Sequence, residues 1–177
     1  MRGWDDSPSR SPATVIAEAL IILGHLTGRD DFTKAGRDAL ASFAGSVRDT
    51  MATVLGGYAL ALDVHLNGPR MVVVAGDPAA DTRAGADMRA LADAARRAYI
   101  PGATILCLAP SSPPKSTDKS PDYAPELKAI LDALGLQPSH ALQAKAVAYI
   151  CHGRACLAPA YSANELRERI AQLAGTM

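Results

Sequence analysis

Arg70-Met-Val-Val-Val-Ala-Gly76 and Ala103-Thr-Ile-Leu-Cys-Leu-Ala109 are two short apolar runs, and the stretch from Thr82 to Tyr99 lies between them. That stretch carries Met88, Leu91, Ala95, Ala98 and Tyr99 at helical spacing. A run that is apolar at every position expects cover on both faces, as strands of a parallel sheet have. Parallel neighbours need a crossover, and a helix supplies one, right-handed in nearly all cases. The unit therefore reads as strand, helix, strand, with the helices before it and the hairpin after it as cover.

Outward toward the N-terminus, Ser11-Pro12 reads as a helix start, a capping serine followed by proline at the first helical position. Val15, Ile16, Ala19, Leu20, Leu23 and Leu26 then form one wide apolar face. Thr27-Gly28-Arg29-Asp30 ends that helix and opens a second, striped by Phe32, Ala35, Ala39, Leu40, Phe43 and Val47. A third is expected from about Thr50 to Leu66, with Gly56-Gly57 in its middle as a site of close packing. Asn67-Gly68-Pro69 closes the helical third. Outward toward the C-terminus, Ser111 to Pro121 reads as a loop. Leu127, Ile130, Leu131 and Leu134 mark a helix that Gly135 ends. Ala146-Val-Ala-Tyr-Ile-Cys151 reads as a third strand. His152-Gly-Arg-Ala155 reads as a turn and Cys156 to Pro159 as the returning strand. Ser162 with Glu165 forms a capping box for a last helix. The expected class is α+β: helices over residues 1–67, then a small mixed α/β domain over 68–177.

Eighteen basic residues balance eighteen acidic ones, which removes the electrostatic footprint of a nucleic-acid binder. No run of about 18 apolar residues exists, so no membrane span is expected. The opening Met-Arg-Gly-Trp-Asp-Asp lacks the apolar core of a signal peptide. The three cysteines are an odd number, which speaks against a disulfide-built secreted scaffold and for a reducing cytoplasm.

Cys151-His152-Gly-Arg-Ala-Cys156 is the most reactive stretch, a candidate redox or metal site. Structural zinc takes four ligands, and only these three are close in sequence, so metal is not favoured. In a hairpin the two cysteines stand opposite each other, within slight adjustment of disulfide geometry. The spacing is not Cys-x-x-Cys, and two free thiols packed in a sheet are expected. Cys107 is expected in the sheet core. Gly76 and Asp77 sit beyond the carboxyl end of a strand, where open α/β sheets bind ligands. No phosphate-loop spacing accompanies them, so a turn with Asp81 or Thr82 capping the next helix is favoured. No cofactor is called for, and no complete set of catalytic residues is legible.

Three segments resemble one family. Pro8-Ser9 leads into an apolar helix ending Leu26-Thr27-Gly28. Leu62-Asp63 and Gly68-Pro69 precede Val72-Val73-Val74. Ala148-Tyr149-Ile150-Cys151 is followed by Cys156, Pro159 and a closing helix. Together they are similar to the C-terminal end of the YyaL-like thioredoxin-domain proteins, the family of spermatogenesis-associated protein 20. Its longer members carry a thioredoxin-like domain and an α/α toroid akin to sugar epimerases and six-hairpin glycosidases. The resemblance implies that the N-terminal helices are the toroid's last hairpins and the remainder its α/β appendage. It makes Pro8, Ser9, Arg10 and Ser11 the family motif positions. The family usually follows Pro-Ser with Gly-Asn, where this chain has Arg10 and Ser11. The expected function is a non-catalytic structural or interaction module. The alternative is an accessory part of a carbohydrate-active or thiol-redox enzyme. Helices one and three look apolar on more than one face, so the expected partner is a second copy or the missing upstream domains.

Overall fold

The computed structural model describes residues 6, 9–47, 55–76, 83–109, 124–136 and 146–174. The chain divides into two compact units, Met1–Pro69 and Arg70–Met177. Among the described residues it is α+β, with six helices and one small mixed sheet.

The first unit holds α1 (Pro12–Thr27), α2 (Asp30–Val47) and α3 (Gly56–Asn67). Ser11 caps α1, its hydroxyl accepting the Ala13 N–H at 3.2 Å, and Gly28 leaves the helix in the left-handed conformation. The core of this unit is Ala17, Ile21, Leu40, Tyr58, Ala61 and Val64. On α1 the inward residues are Thr14, Ala17, Ile21 and Gly24, which recur at intervals of three and four. Most of the face expected to be inward is instead the outer one: Val15, Ile16, Ala19 and Leu23 are exposed and Leu20 is half-buried, and of that set only Leu26 is buried. Glycine decides this. A Cβ on Gly36 of α2 would lie 2.7 Å from the Ala17 carbonyl oxygen and 2.7 Å from Ile21 Cγ1. A Cβ on Gly24 would meet the Thr33 backbone nitrogen at 2.7 Å. The two helices approach at their small residues, because only there can the backbones come so close.

Gly56 and Gly57 open α3 rather than dividing it, and the part of the expected third helix over 50–54 lies outside the described residues. The close-packing role expected of this pair belongs to Gly57. Its N–H donates to the Asp6 carboxylate, and an added Cβ would meet Asp6 Oδ1 and Thr14 Oγ1 at 2.8 Å.

The second unit runs β1 (Arg70–Ala75), α4 (Arg83–Arg97), β2 (Thr104–Leu108), α5 (Pro125–Ala133), β3 (Val147–His152), β4 (Ala155–Cys156) and α6 (Ala163–Ala174). The sheet order is β2-β1-β3-β4; β1 pairs with β2 in parallel and with β3 in antiparallel. The strand-helix-strand reading is met. Val72 and Val74 of β1 and Ala148 and Ile150 of β3 share one face, which Met88, Leu91 and Ala95 of α4 and Leu166 and Ile170 of α6 cover. The alternate residues Met71, Val73, Ala75, Val147 and Cys151 are buried as well. Burying a valine side chain contributes on the order of 2 kcal/mol, so the central pair anchors this unit.

Three expectations need correction. The β2 run is not covered on both faces: it is the sheet's edge, with Thr104, Ile105 and Leu106 half-buried and Cys107 exposed. Tyr99 does not face the core, because α4 ends at Arg97; Tyr99 is 86% exposed and Ile100 packs in its place. The returning strand pairs only at Ala155–Cys156 and then carries a bulge. Cys151 opposes Cys156 but Ala148 opposes Ala160, so one extra residue lies on the returning side. Pro159, which has no N–H to donate, falls in that interval. Gly135 (φ 66°) follows α5 as expected. The Ser162 hydroxyl accepts from the Glu165 N–H, but the Glu165 carboxylate reaches back to the Tyr161 N–H rather than to that of Ser162. The 111–121 loop and the Asp81 and Thr82 caps lie outside the described residues.

Candidate functional site

The β3–β4 hairpin turns through Gly153 and Arg154, with Gly153 at φ 60°. A two-residue hairpin turn needs positive φ at its first central position, which glycine supplies without a Cβ penalty. His152 then pairs with Ala155, and Cys151 with Cys156. Leu157 N–H donates to the Ile150 carbonyl at 2.9 Å, on the far side of the cysteine pair from the turn. The cysteines thus occupy a non-hydrogen-bonded position, where opposed strands come closest; their Cα atoms are 4.0 Å apart. They are joined as a disulfide. The cysteines stand across the hairpin from each other as expected, and the expectation of two free thiols is overturned, because at this closest position of the strands they are near enough to bond. Neither sulfur then offers the thiolate that zinc binds. Among the described residues there is no group of three or more His, Cys, Asp or Glu that could hold a metal ion.

Strand alternation places Arg70, Val72, Ile150, His152, Ala155 and Leu157 on the α4-facing side of the sheet, and Cys151 and Cys156 on its back. On that front side, beside Ile100 and Ala103, lies a groove of about 410 Å³. Its walls are mainly apolar, and Arg70 and His152, opposed in register, are its polar side chains. The hairpin is therefore one wall of the groove, whose lining also includes Met71, Cys151 and Cys156. His152 is exposed and lies beside the cysteine pair in sequence but on the other face of the strand. Arg70, Ile100, Ala103 and Leu157 were not singled out from the sequence. The legible signal was the break after Pro69, which sets Arg70 at a strand's first position.

The groove sits at the amino end of β1. At the carboxyl end of β1, Gly76 is closely packed: an added Cβ would lie 3.1 Å from Ala146 Cβ and 3.3 Å from Met88 Cβ. Asp77 lies outside the described residues. Cys107, expected in the core, stands at the β2 edge, with the Arg96 guanidinium 3.9 Å from its sulfur. A second hollow of about 340 Å³ includes it, together with Met88, Ala92 and Asp93. On β3, burial and then the neighbouring Tyr161 push the Tyr149 phenol above its ordinary range, so it stays neutral at physiological pH.

Of the family motif positions, Pro8 lies outside the described residues and Ser9 is exposed. Arg10 pairs with Glu18 one helical stretch away. Ser11 is buried, caps α1 and donates its N–H to Asp6 Oδ1 at 2.7 Å. Ser11 and Arg10 are thus engaged in fastening the start of α1. No helix among the described residues is long and apolar enough to cross a membrane. No family model matches the chain, and neither curated proteins nor solved structures yield a significant match.

Proposed function

We propose that this chain is a non-catalytic interaction module of the cytoplasm, that it self-associates through the outer face of α1, and that it derives from the C-terminal end of a YyaL-like protein. One observation carries the reading: every exposed residue of α1 is apolar. These are Pro12, Val15, Ile16, Ala19 and Leu23, with Val15, Ile16 and Leu23 at 42%, 59% and 44% exposure. They recur at intervals of three and four and so form one stripe. Contiguous exposed apolar surface of this kind marks an interaction site.

The occupant that fits is a second copy. The stripe carries no charge, so two copies meet without repulsion. A twofold axis pairs identical surfaces. An antiparallel α1–α1 contact centred on Ala19 sets Val15 against Leu23 of the other copy and Ala19 against Ala19. Small residues then stand where the helices cross, and bulky ones fill the flanks. Glu18, off the stripe, is already paired with Arg10.

Light scattering at micromolar concentration tests the reading, with a dimer expected for the native chain and a monomer for Ile16→Glu. Ala19→Cys is expected to cross-link between copies under mild oxidation. A native monomer would overturn the assignment and point to upstream helices of a longer chain as the cover.

A further inference from the structure

We propose that Cys156 is a thiol–disulfide exchange site: a dithiol reduces the Cys151–Cys156 bond, and the reduction releases β4 from the wall of the groove. The inference does not depend on self-association through α1, which lies in the other unit.

Accessibility fixes the direction of attack. Cys151 is buried at 1% exposure, whereas Cys156 is half-exposed on β4, the sheet's edge strand. A dithiol's thiolate approaches Cys156 Sγ, forms a mixed disulfide and expels Cys151 as a thiolate, which takes a proton from water. The dithiol's second thiol then gives up its proton and attacks its own sulfur in the mixed disulfide. Cys156 leaves as a thiolate and is protonated. The dithiol ends as a cyclic disulfide, two electrons poorer, and the protein as two thiols.

The hairpin is built so that this bond matters locally. β4 has only two ladder residues, and beyond Leu157 the bulge at Ala158–Pro159 interrupts pairing. The next fixed point is the Ala148–Ala160 bridge, with both hydrogen bonds at 2.8 Å. The disulfide therefore ties down a segment held weakly by backbone alone, between a turn and a bulge. That segment carries Ala155 and Leu157, both part of the groove. β3, by contrast, is paired with β1 along its whole length and does not need the bond.

The test uses the full chain with Cys107→Ser, so that the exposed third cysteine contributes no thiol. Protein is released with an alkylating agent present, to fix the thiols as they are, and a separate native sample is titrated with dithiothreitol and with oxidised glutathione. Amide hydrogen exchange is read before and after reduction. The expectation is no free thiol before reduction, two afterwards without denaturant, and reversal by oxidised glutathione. Protection over 153–159 should fall by about tenfold or more, while that of β1 and β3 holds, since exchange reports local opening. A Cys151→Ala, Cys156→Ser double variant should show the reduced pattern and ignore dithiothreitol. Thiols already free at release, a bond that resists dithiothreitol unless the chain is unfolded, protection over 153–159 that survives reduction, or loss of protection across the whole sheet would each overturn the proposal.

Discussion

Every exposed position of α1 is apolar, while α2, packed against it, exposes Asp30, Asp31, Lys34, Arg37 and Asp38. On α2, and in the turn before it, the charges engage one another, with Lys34 bridging to Asp38 and the Arg29 guanidinium bonding Asp31 and resting 3.8 Å above the Phe32 ring. Both helices bury small residues where they meet. What differs is the side turned away. A helix with one polar and one apolar side has its orientation written in its sequence. A helix whose inner and outer faces are both mainly apolar does not, and its orientation is set by which face lets a neighbour come close. The difference teaches that the outer stripe of α1 is surplus to the fold of its own unit, and that the inner face carries the stability.

The sharpest way to break this comparison is to truncate one residue on each face of α1. Ile21 is fully buried in the first unit's core. Ile21→Ala is expected to lower unfolding stability by about 3 kcal/mol, the usual loss for a buried isoleucine. Ile16→Ala on the outer face is expected to leave stability at low protein concentration within about 0.5 kcal/mol of the native value. Urea unfolding under dilute conditions measures both. Equal losses would show that the outer stripe belongs to the core after all.

Next in size is the helix contact itself. Gly36→Leu must push α1 away or strain its rotamer, and overpacking of this kind costs about 2 kcal/mol. The same α2 contains a built-in control. A Cβ on Gly45 would meet nothing within 4 Å. Gly45→Ala is therefore expected to stabilise by about 0.8 kcal/mol through helix propensity alone. Thermal unfolding of the two variants should shift in opposite directions; a stabilising Gly36→Leu would sink the close-approach account.

How much of this was legible follows the same physics. β1 and β2 were readable as parallel strands because Val72 to Val74 and Ile105 to Leu108 are apolar without a break and a helical period separates them. The edge position of β2 was not, since strand order is a matter of long-range pairing that no local pattern encodes. The hairpin was readable from its cysteines and Gly153. Its bulge was marked only by Pro159, and the sequence showed that the two cysteines stand opposite each other but not that they are bonded. Gly24 on α1 and Gly36 on α2 were present in the sequence as the signal for the inward face. Hydrophobic periodicity weighs large residues and passes over them. The groove beside Arg70 and His152 joins residues more than eighty positions apart, and nothing local announces it.

The smallest expected effect sharpens the comparison at the other side of α1, where it meets α3. There the contact is a polar clasp: the Asp6 carboxylate accepts the N–H groups of Ser11, at the start of α1, and of Gly57, in the first turn of α3. These two bonds, Ser11 first, hold the Asp6 carboxyl below the usual carboxylate range, with a lesser contribution from Arg10. A carboxylate whose folded pKa is depressed adds stability above its unfolded value, near 4, and that stability is lost as pH falls through the folded value. Asp6→Asn keeps an acceptor oxygen but loses the charge, so at neutral pH it is expected to cost about 0.5 kcal/mol, the margin of a charge-assisted bond over a neutral one. The difference between native and variant should shrink as pH drops from about 5 toward 2, because the native carboxylate then becomes neutral as well. Urea unfolding of both proteins across that range measures it. A difference that stays constant with pH would show that Asp6 acts there by shape alone, and that α1 is fastened to α3, as it is to α2, without help from charge.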